Sequence, residues 1–257
     1  MFYFQKPTGG LYYGKKLLNA PHVTQNRIGI PARTVFVSDI HLRKNQETLL
    51  DRLTAQIREL QPELLLFGGD ISEYNDGILQ FVSEMKNVHA KYGIFAVCGN
   101  NDSQRFDWNP EQLKIELSKG GVTLLLNECA RIPLENGKHM EIAGLKDAYF
   151  HEPQLTGLFS KENDVFRVLL SHMPLKKFVS ETDVKPNLML SGHTHGGQIN
   201  VLGLTCYELL NYEGKYQYTH LSGEKQFGDT LVIVSNGIGT SKYPVRFGAR
   251  PEIHLIT

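Results

Sequence analysis

Five short motifs rich in glycine, aspartate, asparagine and histidine each follow directly on an apolar run, and this placement constrains the fold more than any other feature. In an open α/β sheet the carboxyl ends of the strands meet along one edge, so motifs distant in sequence come together there. Such a fold would bring the polar side chains into one site. The motifs are Ser38-Asp39-Ile40-His41, Gly68-Gly69-Asp70, Gly99-Asn100-Asn101-Asp102, Ser171-His172 and Gly192-His193-Thr194-His195.

The first half of the chain alternates short β-rich runs with amphipathic helical patterns. This alternation is typical of βαβ units, which form a parallel or mixed sheet buried on both faces. In the second helical pattern, Leu79, Val82 and Met85 share one face and are expected to point inward. The runs are Arg33–Val37, Leu64–Phe67 and Ile94–Val97, and the helical patterns are Asn45–Leu60 and Asp76–Ala90.

After a helical pattern at Pro110–Lys119 the chain becomes rich in β-forming runs. So many strands are accommodated by two stacked sheets with helices on the outside. We therefore predict an α/β fold, a four-layered α-β-β-α sandwich of two mixed sheets flanked by helices. The later runs are Thr123–Leu126, Met140–Ala143, Val165–Leu170, Leu188–Leu190, Leu231–Val234 and Ile253–Ile256.

Length and charge limit the domain organisation and the partners. The 257 residues, 41% of them hydrophobic, can bury a full core, so we predict one domain over residues 1–257. Within it, residues 1–30 are expected to be an N-terminal extension, and the tyrosine-rich stretch 202–229 a loop or hairpin excursion. Lys+Arg and Asp+Glu both count 27, and without a block of like charge the sequence indicates no nucleic-acid partner.

The cysteine content and the hydropathy predict a cytoplasmic protein. Three widely spaced cysteines, Cys98, Cys129 and Cys206, suit a reducing compartment better than a disulfide framework. The sequence has no stretch of about 18 apolar residues and no signal-peptide core. The aromatic residues near the N-terminus, among them Phe2 and Tyr12, are expected to pack across the domain, with peripheral membrane contact as the alternative.

The residue types in the motifs are those of a metal site. Asp39 and His41 can present their side chains to one ion, while the two oxygens of Asp70 can bridge two ions. Mixed imidazole and carboxylate donors suit Mn²⁺, Fe or Zn²⁺, and two ions about 3.5–4 Å apart form a clamp for phosphoryl displacement. A single motif of this sort is more often a capped turn or a core histidine, but five in order at strand ends favour metal binding.

The order of the motifs resembles the complete set of metal-ligand motifs of the calcineurin-like phosphoesterases, from about Thr34 to the end of the chain. The resemblance implies two divalent ions that share Asp70, and a hydroxide between them that attacks a phosphate ester. The first ion would be held by Asp39, His41, Asp70 and His195, and the second by Asp70, Asn100, His172 and His193.

Three segments after His195, the last histidine of the five motifs, make this resemblance more specific. Gly196-Gly197-Gln198, Ser235–Thr240 and Pro244–Glu252 are similar to the branch that contains membrane-associated phosphohydrolases of the UDP-2,3-diacylglucosamine pyrophosphatase type. That branch implies a nucleotide-linked lipid precursor as one candidate substrate. Its members commonly carry an N-terminal membrane or export segment, and the first residues of this sequence do not resemble one.

The third motif departs from the family, which usually has histidine where this chain has Asn101, next to Asp102. That histidine is thought to protonate or steady the leaving group, so Asn101 and Asp102 are the candidate catalytic residues. An amide donates a hydrogen bond but transfers no proton. We therefore predict phosphodiester or pyrophosphate substrates with good leaving groups. The alternatives are a weakly catalytic metal-binding scaffold, a phosphomonoesterase or protein phosphatase, and replacement of the missing histidine by His151 or His220.

Two arginines and a group of tyrosines are candidate substrate-binding residues. The forked guanidinium groups of Arg246 and Arg250 suit phosphate oxygens, with surface or structural ion pairs as the alternative. The tyrosines of the excursion can stack on a base, line an apolar slot or cover a sheet edge. They are Tyr207, Tyr212, Tyr216 and Tyr218.

Overall fold

The computed structural model describes residues 11–13, 21–104, 109–202, 204–205, 217–241 and 243–257. The strands are β1 (Leu11–Tyr13), β2 (His22–Asn26), β3 (Thr34–Val37), β4 (Leu64–Phe67), β5 (Ile94–Ala96), β6 (Val122–Leu124), β7 (Glu128–Pro133), β8 (His139–Gly144), β9 (Val165–Leu170), β10 (Leu188–Ser191), β11 (Asn200–Val201), β12 (Leu204–Thr205), β13 (Gly223–Phe227), β14 (Thr230–Val234), β15 (Val245–Phe247) and β16 (Glu252–Ile256). The helices are α1 (Glu47–Leu60), α2 (Asn75–Met85), α3 (Asn100–Gln104), α4 (Pro110–Ser118) and α5 (Lys177–Ser180).

The first large sheet has the strand order β2-β16-β3-β4-β5-β6. Strands β3 to β6 run parallel to one another, whereas β16 is antiparallel to β3 and parallel to β2. The sheet is therefore mixed, and the carboxyl ends of β3, β4 and β5 lie side by side.

The second large sheet has the order β13-β14-β10-β9-β8-β7. Its inner strands β8, β9, β10 and β14 run parallel, and the edge strands β7 and β13 are antiparallel to their neighbours. This sheet is also mixed. Two further antiparallel pairs, β1 with β15 and β11 with β12, complete the described strands.

Alternation of side chains along the strands creates three apolar layers. Val35 and Val37 of β3 pack with the outer helices α1 and α2, while Phe36 between them points into the layer shared by the two sheets. On the far side of the second sheet, Leu169 of β9 packs in one cluster with Phe178 of α5. The prediction of a four-layered sandwich of two mixed sheets flanked by helices is confirmed.

Local signals explain where the helices begin and end. Helix α4 begins after Asn109, whose side chain accepts a hydrogen bond from the Gln112 amide while the Gln112 side chain accepts one from the Asn109 amide. Helix α1 ends because Gln61 takes a left-handed conformation (φ 47°), and Pro62 cannot continue a helix. None of the helices in the described ranges is long and apolar enough to cross a membrane.

Several details differ from the sequence predictions. Strand β13 lies within the predicted excursion 202–229 and forms an edge of the second sheet, because its backbone pairs with β14. Helix α2 ends at Met85 rather than near residue 90, and it buries Ile78 and Phe81 while Leu79, expected to point inward, is 44% exposed. Residues 203 and 206–216 of the excursion lie outside the described part of the chain.

Candidate metal centre

The five motifs lie at the carboxyl ends of β3, β4, β5, β9 and β10. Several of their polar residues have a positive φ, a conformation that residues other than glycine seldom adopt. The sharp turns direct side chains that are close in sequence toward the same space. These residues are Asp39 (φ 51°), His41 (φ 45°), Asp70 (φ 53°), His193 (φ 69°) and His195 (φ 52°).

Two glycines are required where these turns pass close to one another. A Cβ on Gly99 would lie 2.1 Å from Asp70 Oδ1, and a Cβ on Gly192 would lie 1.9 Å from Ser38 Oγ and 2.1 Å from Asp39 Oδ2. Any larger residue would displace a site carboxylate, so these two positions hold the motifs in contact.

Four side chains form what we name the first donor group: Asp39, His41, Asp70 and His195. His41 Nε2 lies 3.1 Å from His195 Nε2 and 3.3 Å from Asp70 Oδ2. Asp39 Oδ1 lies 3.5 Å from His195 Nε2 and 3.9 Å from His41 Nε2. All four residues are buried.

The second donor group consists of Asp70, Asn100, His172 and His193. Asn100 Oδ1 lies 3.2 Å from His172 Nε2 and 3.0 Å from His193 Nδ1, and these two nitrogens are 3.2 Å apart. His172 Nε2 is also 3.5 Å from Asp70 Oδ2. The same oxygen of Asp70 therefore faces both groups.

The spacing of the donors fits divalent metal ions. Ligands about 2.1 Å from a tetrahedral ion lie about 3.4 Å from each other, and the separations in both groups are close to this value. In the first group the two ring nitrogens His41 Nε2 and His195 Nε2 lie 3.1 Å apart, within reach of carboxylate oxygens of Asp70 and Asp39, so one ion could contact both nitrogens and a carboxylate. Asp39, His41 and His195 can hold one ion, and Asp39, Asp70 and His172 also converge closely enough to do so.

Burial and neighbouring charges shift the pKa values of adjacent site residues in opposite directions. Burial alone would lower the pKa of His172, but the charge of Asp70 raises it to about 10. Burial and the charge of His172 lower the pKa of His193 to about 3. Burial opposes ionisation of Asp70, but His172 and His41 hold its pKa well below the usual value. The centre is thus built around a carboxylate that stays ionised among imidazoles.

Each histidine of the site has its second ring nitrogen held by a partner from outside the donor groups. His41 Nδ1 contacts Glu73 Oε1, and His172 Nδ1 donates to the Gly68 carbonyl at 2.8 Å. These contacts fix the ring orientation, as outer partners of metal-binding histidines do. The remaining pairs are His193 Nε2 with the Tyr218 hydroxyl (3.0 Å) and His195 Nδ1 with Arg246 Nη2 (2.9 Å).

Comparison with known proteins agrees with this geometry. The family model described as calcineurin-like phosphoesterase matches residues 32–197, more than half of the chain. The chain belongs to the calcineurin-like phosphoesterase family. It is a metal-dependent hydrolase that acts on phosphate-ester bonds.

Relatives of this phosphoesterase match over most of their own length. The uncharacterized metallophosphoesterase YkuE of Bacillus subtilis is 33% identical over 88% of this chain and 78% of YkuE. The uncharacterized protein YpbG of the same organism is 32% identical over 89% of this chain and 82% of YpbG. The phosphodiesterase YaeI of Escherichia coli is 28% identical over 88% of this chain and 82% of YaeI.

The two candidate catalytic residues of the phosphoesterase have different surroundings. Asn101 is within the site: its amide nitrogen lies 2.8 Å from Asp70 Oδ1, and its Nδ2 donates to Asp70 Oδ2 at 2.6 Å. Asp102 instead accepts hydrogen bonds from the backbone amides of Asp70 (2.6 Å), Ile71 (3.0 Å) and Gly99 (2.9 Å). Burial, together with the charge of Asp70, raises the Asp102 pKa to about 7 while these amides oppose the rise. Asp102 therefore holds the turn that carries Asp70, which favours a positioning role, and its catalytic role stays a prediction.

The two candidate substrate-binding arginines are also placed differently from the prediction. Arg246 is fully buried, and its guanidinium donates to three backbone carbonyls as well as facing His195. It cannot meet a substrate, so that prediction is wrong. Arg250 is exposed and lines a cleft of about 450 Å³ between the edge strands β2 and β13, whose described lining contains no member of either donor group.

The remaining candidates from the sequence are two histidines and the aromatic residues. His220 Nε2 donates to the Gly223 carbonyl and its ring stacks on Phe227, while His151 is exposed; neither position supports replacement of the missing histidine. Tyr218 is buried against His193. Tyr207, Tyr212 and Tyr216 lie outside the described residues, as do Phe2 and the side chain of Tyr12. Glu73 is a site residue that the motifs did not reveal.

Proposed function

We propose that this phosphoesterase hydrolyses phosphodiesters or diphosphates with two divalent metal ions, one in each donor group. The position of Asp70 supports two sites, because its Oδ2 lies 3.3 Å from a nitrogen of the first group and 3.5 Å from a nitrogen of the second. When bound, the ions supply Lewis acidity and a water of lowered pKa. The imidazole, amide and carboxylate donors suit Mn²⁺, Fe or Zn²⁺.

Asn101 supports a preference for substrates with good leaving groups. Its Nδ2 donates one N–H to Asp70 Oδ2 and has a second N–H that can donate to a phosphoryl oxygen. It has no proton to transfer, and general-acid catalysis contributes about 10²–10⁴ in rate. Aryl diesters and diphosphates need little protonation on leaving, whereas alkyl monoesters depend on it. The similarity to a relative named phosphodiesterase agrees with this preference.

A nucleotide-linked lipid precursor is the substrate candidate that we propose on the branch resemblance. Residues 235–240 and 244–252, which carry that resemblance, include Gly237 and Gly239, and these pack directly on Asp39 and Ile40. The segment therefore borders the first donor group. A cytoplasmic location and peripheral contact with a membrane stay predictions, and a protein phosphatase is the less favoured alternative because the sequence has no signal for a peptide groove.

A weakly catalytic scaffold of the same fold is the second candidate. The intact donor groups argue against it, because a protein freed from catalysis need not keep every donor. Asp70→Asn separates the two functions. We expect this variant to lose phosphoesterase activity and to bind metal more weakly in both donor groups, because Asp70 faces both of them, whereas a scaffold would have no turnover to lose.

Asn101→His tests the leaving-group preference. Protein loaded with Mn²⁺ would be assayed with bis-p-nitrophenyl phosphate, p-nitrophenyl phosphate and an alkyl monoester. We expect the wild type to prefer the diester, and the variant to gain at least about tenfold on the alkyl monoester because a proton donor is restored. Asn87→His, an exposed position in the turn after α2, is the matched control. Equal wild-type rates on the diester and the alkyl monoester would refute the proposal.

A further inference from the structure

A short segment, residues 217–221, joins the two loops that carry the histidines of the second donor group. The Thr219 amide donates to the Pro174 carbonyl at 2.7 Å, so the segment lies along the loop after β9. The Leu221 carbonyl accepts a hydrogen bond from the Thr194 hydroxyl, which brings the loop after β10 to the same segment. Any side chain that this segment sends inward is therefore placed by the loops of the metal centre.

Tyr218 is the side chain of this segment that reaches the second donor group. It is 3% exposed, and its hydroxyl lies 3.0 Å from His193 Nε2. The two rings meet at an angle of 62°, with their centroids 5.8 Å apart. A backbone bridge pairs Tyr218 with Leu175. Burial and this bridge hold the hydroxyl beside the imidazole.

The position of the proton on His193 decides whether this ring can bind an ion. A neutral imidazole carries one N–H, and its other nitrogen has the lone pair that a metal ion needs. The nitrogen that faces the second donor group is Nδ1, at 3.0 Å from Asn100 Oδ1 and 3.2 Å from His172 Nε2. A ring that binds an ion through Nδ1 has its proton on Nε2, where the Tyr218 hydroxyl oxygen can accept the hydrogen bond.

In metal-free protein the same ring can carry its proton on either nitrogen. When the proton is on Nδ1, Asn100 Oδ1 can accept it, and the Tyr218 hydroxyl can donate to Nε2. A bound ion excludes that arrangement, because it takes the lone pair of Nδ1. A buried N–H that loses its acceptor costs free energy. Removal of the hydroxyl should therefore destabilise the ion-bound ring more than the metal-free ring.

We propose that Tyr218 is a positioning residue that sets the metal affinity of the second donor group by accepting the Nε2–H of His193, and that it leaves the first group unaffected. This inference rests on the proposed two-ion function. Outer partners of metal-bound histidines typically change metal affinity by about 10–100-fold. The histidines of the first group contact Glu73 and Arg246 instead, so the loss of the hydroxyl should affect one site and spare the other.

The test is Tyr218→Phe, which removes one oxygen and keeps the ring. Zn²⁺ binding to metal-free protein would be measured by calorimetry, and Co²⁺ binding by absorption. We expect the variant to bind one ion as tightly as the wild type and the other about 10–100-fold more weakly. Tyr74→Phe is the matched control, because Tyr74 is partly buried and its hydroxyl also donates to a side chain, to Gln80 Oε1 at 3.3 Å. The control should bind both ions as the wild type does.

A double-mutant comparison assigns the weakened site. In a His193→Ala background, Tyr218→Phe should cause no further loss of affinity, whereas in a His195→Ala background the full loss should remain. An equal loss in both backgrounds, an equal weakening of both ions, or no weakening would overturn the inference. Wild-type protein that binds two ions but hydrolyses no diester would overturn the proposed function alone, and wild-type protein that binds no metal would overturn both.

A measurement on the unaltered protein covers the case in which Tyr218→Phe fails to fold. Long-range ¹H–¹⁵N spectra of the wild type loaded with Zn²⁺ report which ring nitrogen of each histidine carries a proton. We expect His193 to carry its proton on Nε2, the nitrogen that faces the Tyr218 hydroxyl, and none on Nδ1. A proton on Nδ1 in the loaded protein would overturn the inference, because the hydroxyl would then have no N–H to accept.

Discussion

Glu252→Gln should destabilise the protein by an amount that depends strongly on pH. Glu252 is 8% exposed, and its carboxylate accepts hydrogen bonds from the Asn236 amide (3.0 Å) and from the Thr24 hydroxyl (2.6 Å). Burial would raise its pKa, but the adjacent His254 and these donors hold the pKa at about 2, against an ordinary value of 4.5. The folded state therefore favours the ionised carboxyl.

The magnitude follows from the linkage between pKa and stability. A carboxyl pKa lowered from 4.5 to about 2 stabilises the folded state by about 3 kcal/mol at pH 7. Because the folded-state pKa is the lower one, this stability is present above pH 4.5 and is lost as the pH falls toward 2. The same relation gives about 2.5 kcal/mol at pH 4 and about 1.4 kcal/mol at pH 3.

Urea unfolding followed by circular dichroism, on metal-free protein at pH 7, 4 and 3, measures this difference. We expect the free energy of unfolding of Glu252→Gln to lie below that of the wild type by about 3 kcal/mol at pH 7, about 2.5 kcal/mol at pH 4 and about 1.4 kcal/mol at pH 3. Glu224→Gln is the matched control, since Glu224 is an exposed carboxylate in the same cleft, and it should change the free energy of unfolding by less than about 0.5 kcal/mol. An equal deficit at pH 7 and pH 3, or none at pH 7, would refute the reasoning.

Three further predictions concern the metal centre. Glu73→Gln removes the carboxylate that contacts His41 Nδ1 and should weaken metal binding by about 10–100-fold in calorimetry; unchanged affinity would count against an outer role for Glu73. Gly192→Ala places a Cβ 1.9 Å from Ser38 Oγ and 2.1 Å from Asp39 Oδ2, so metal content measured by mass spectrometry should fall while circular dichroism stays near that of the wild type. Chelation should lower the thermal midpoint and readdition of Mn²⁺ should restore it, with an ion at 100 times its Kd adding about 2.7 kcal/mol; a midpoint indifferent to metal would contradict the site.

The layers of the fold could be predicted because the buried strands are short apolar runs with clear boundaries. The predicted run Leu64–Phe67 coincides with β4, and Val165–Leu170 coincides with β9. Strands β2 and β13 were not predicted, because they are edge strands with mixed burial and carry polar residues in most positions. Their pairing with β16 and β14 depends on backbone hydrogen bonds that composition does not reveal.

The candidate site was predictable to the extent that its residues follow strands. Asp39, Asp70 and His195 lie at strand ends, so their convergence follows from topology alone. The direction of a side chain beyond the strand end does not follow from it. Arg246 belongs to a strand of three residues paired with another short one, and only the packing of the segment around Gly239 and Ala249 shows that its guanidinium points inward.

The left-handed backbone conformation of the motif residues explains why they are Asp and His, and why a bound ion would stabilise them. Left-handed conformations at residues other than glycine cost about 1–3 kcal/mol each and persist where the surroundings enforce them. Asp and His tolerate this conformation better than most residues, but glycine, which adopts it freely, carries no donor atom. Asp39, His41 and Asp70 thus keep a strained backbone conformation that the apolar layers around them stabilise.

A bound metal ion would stabilise the turns at these same residues. Metal removal should therefore loosen the turns after β3 and β4 before it affects the strands. Faster amide hydrogen exchange at residues 38–42 and 68–72 in metal-free protein, with unchanged exchange in β3 and β4, is the expected signature, and uniform exchange across turns and strands would show that the strain is not relieved locally.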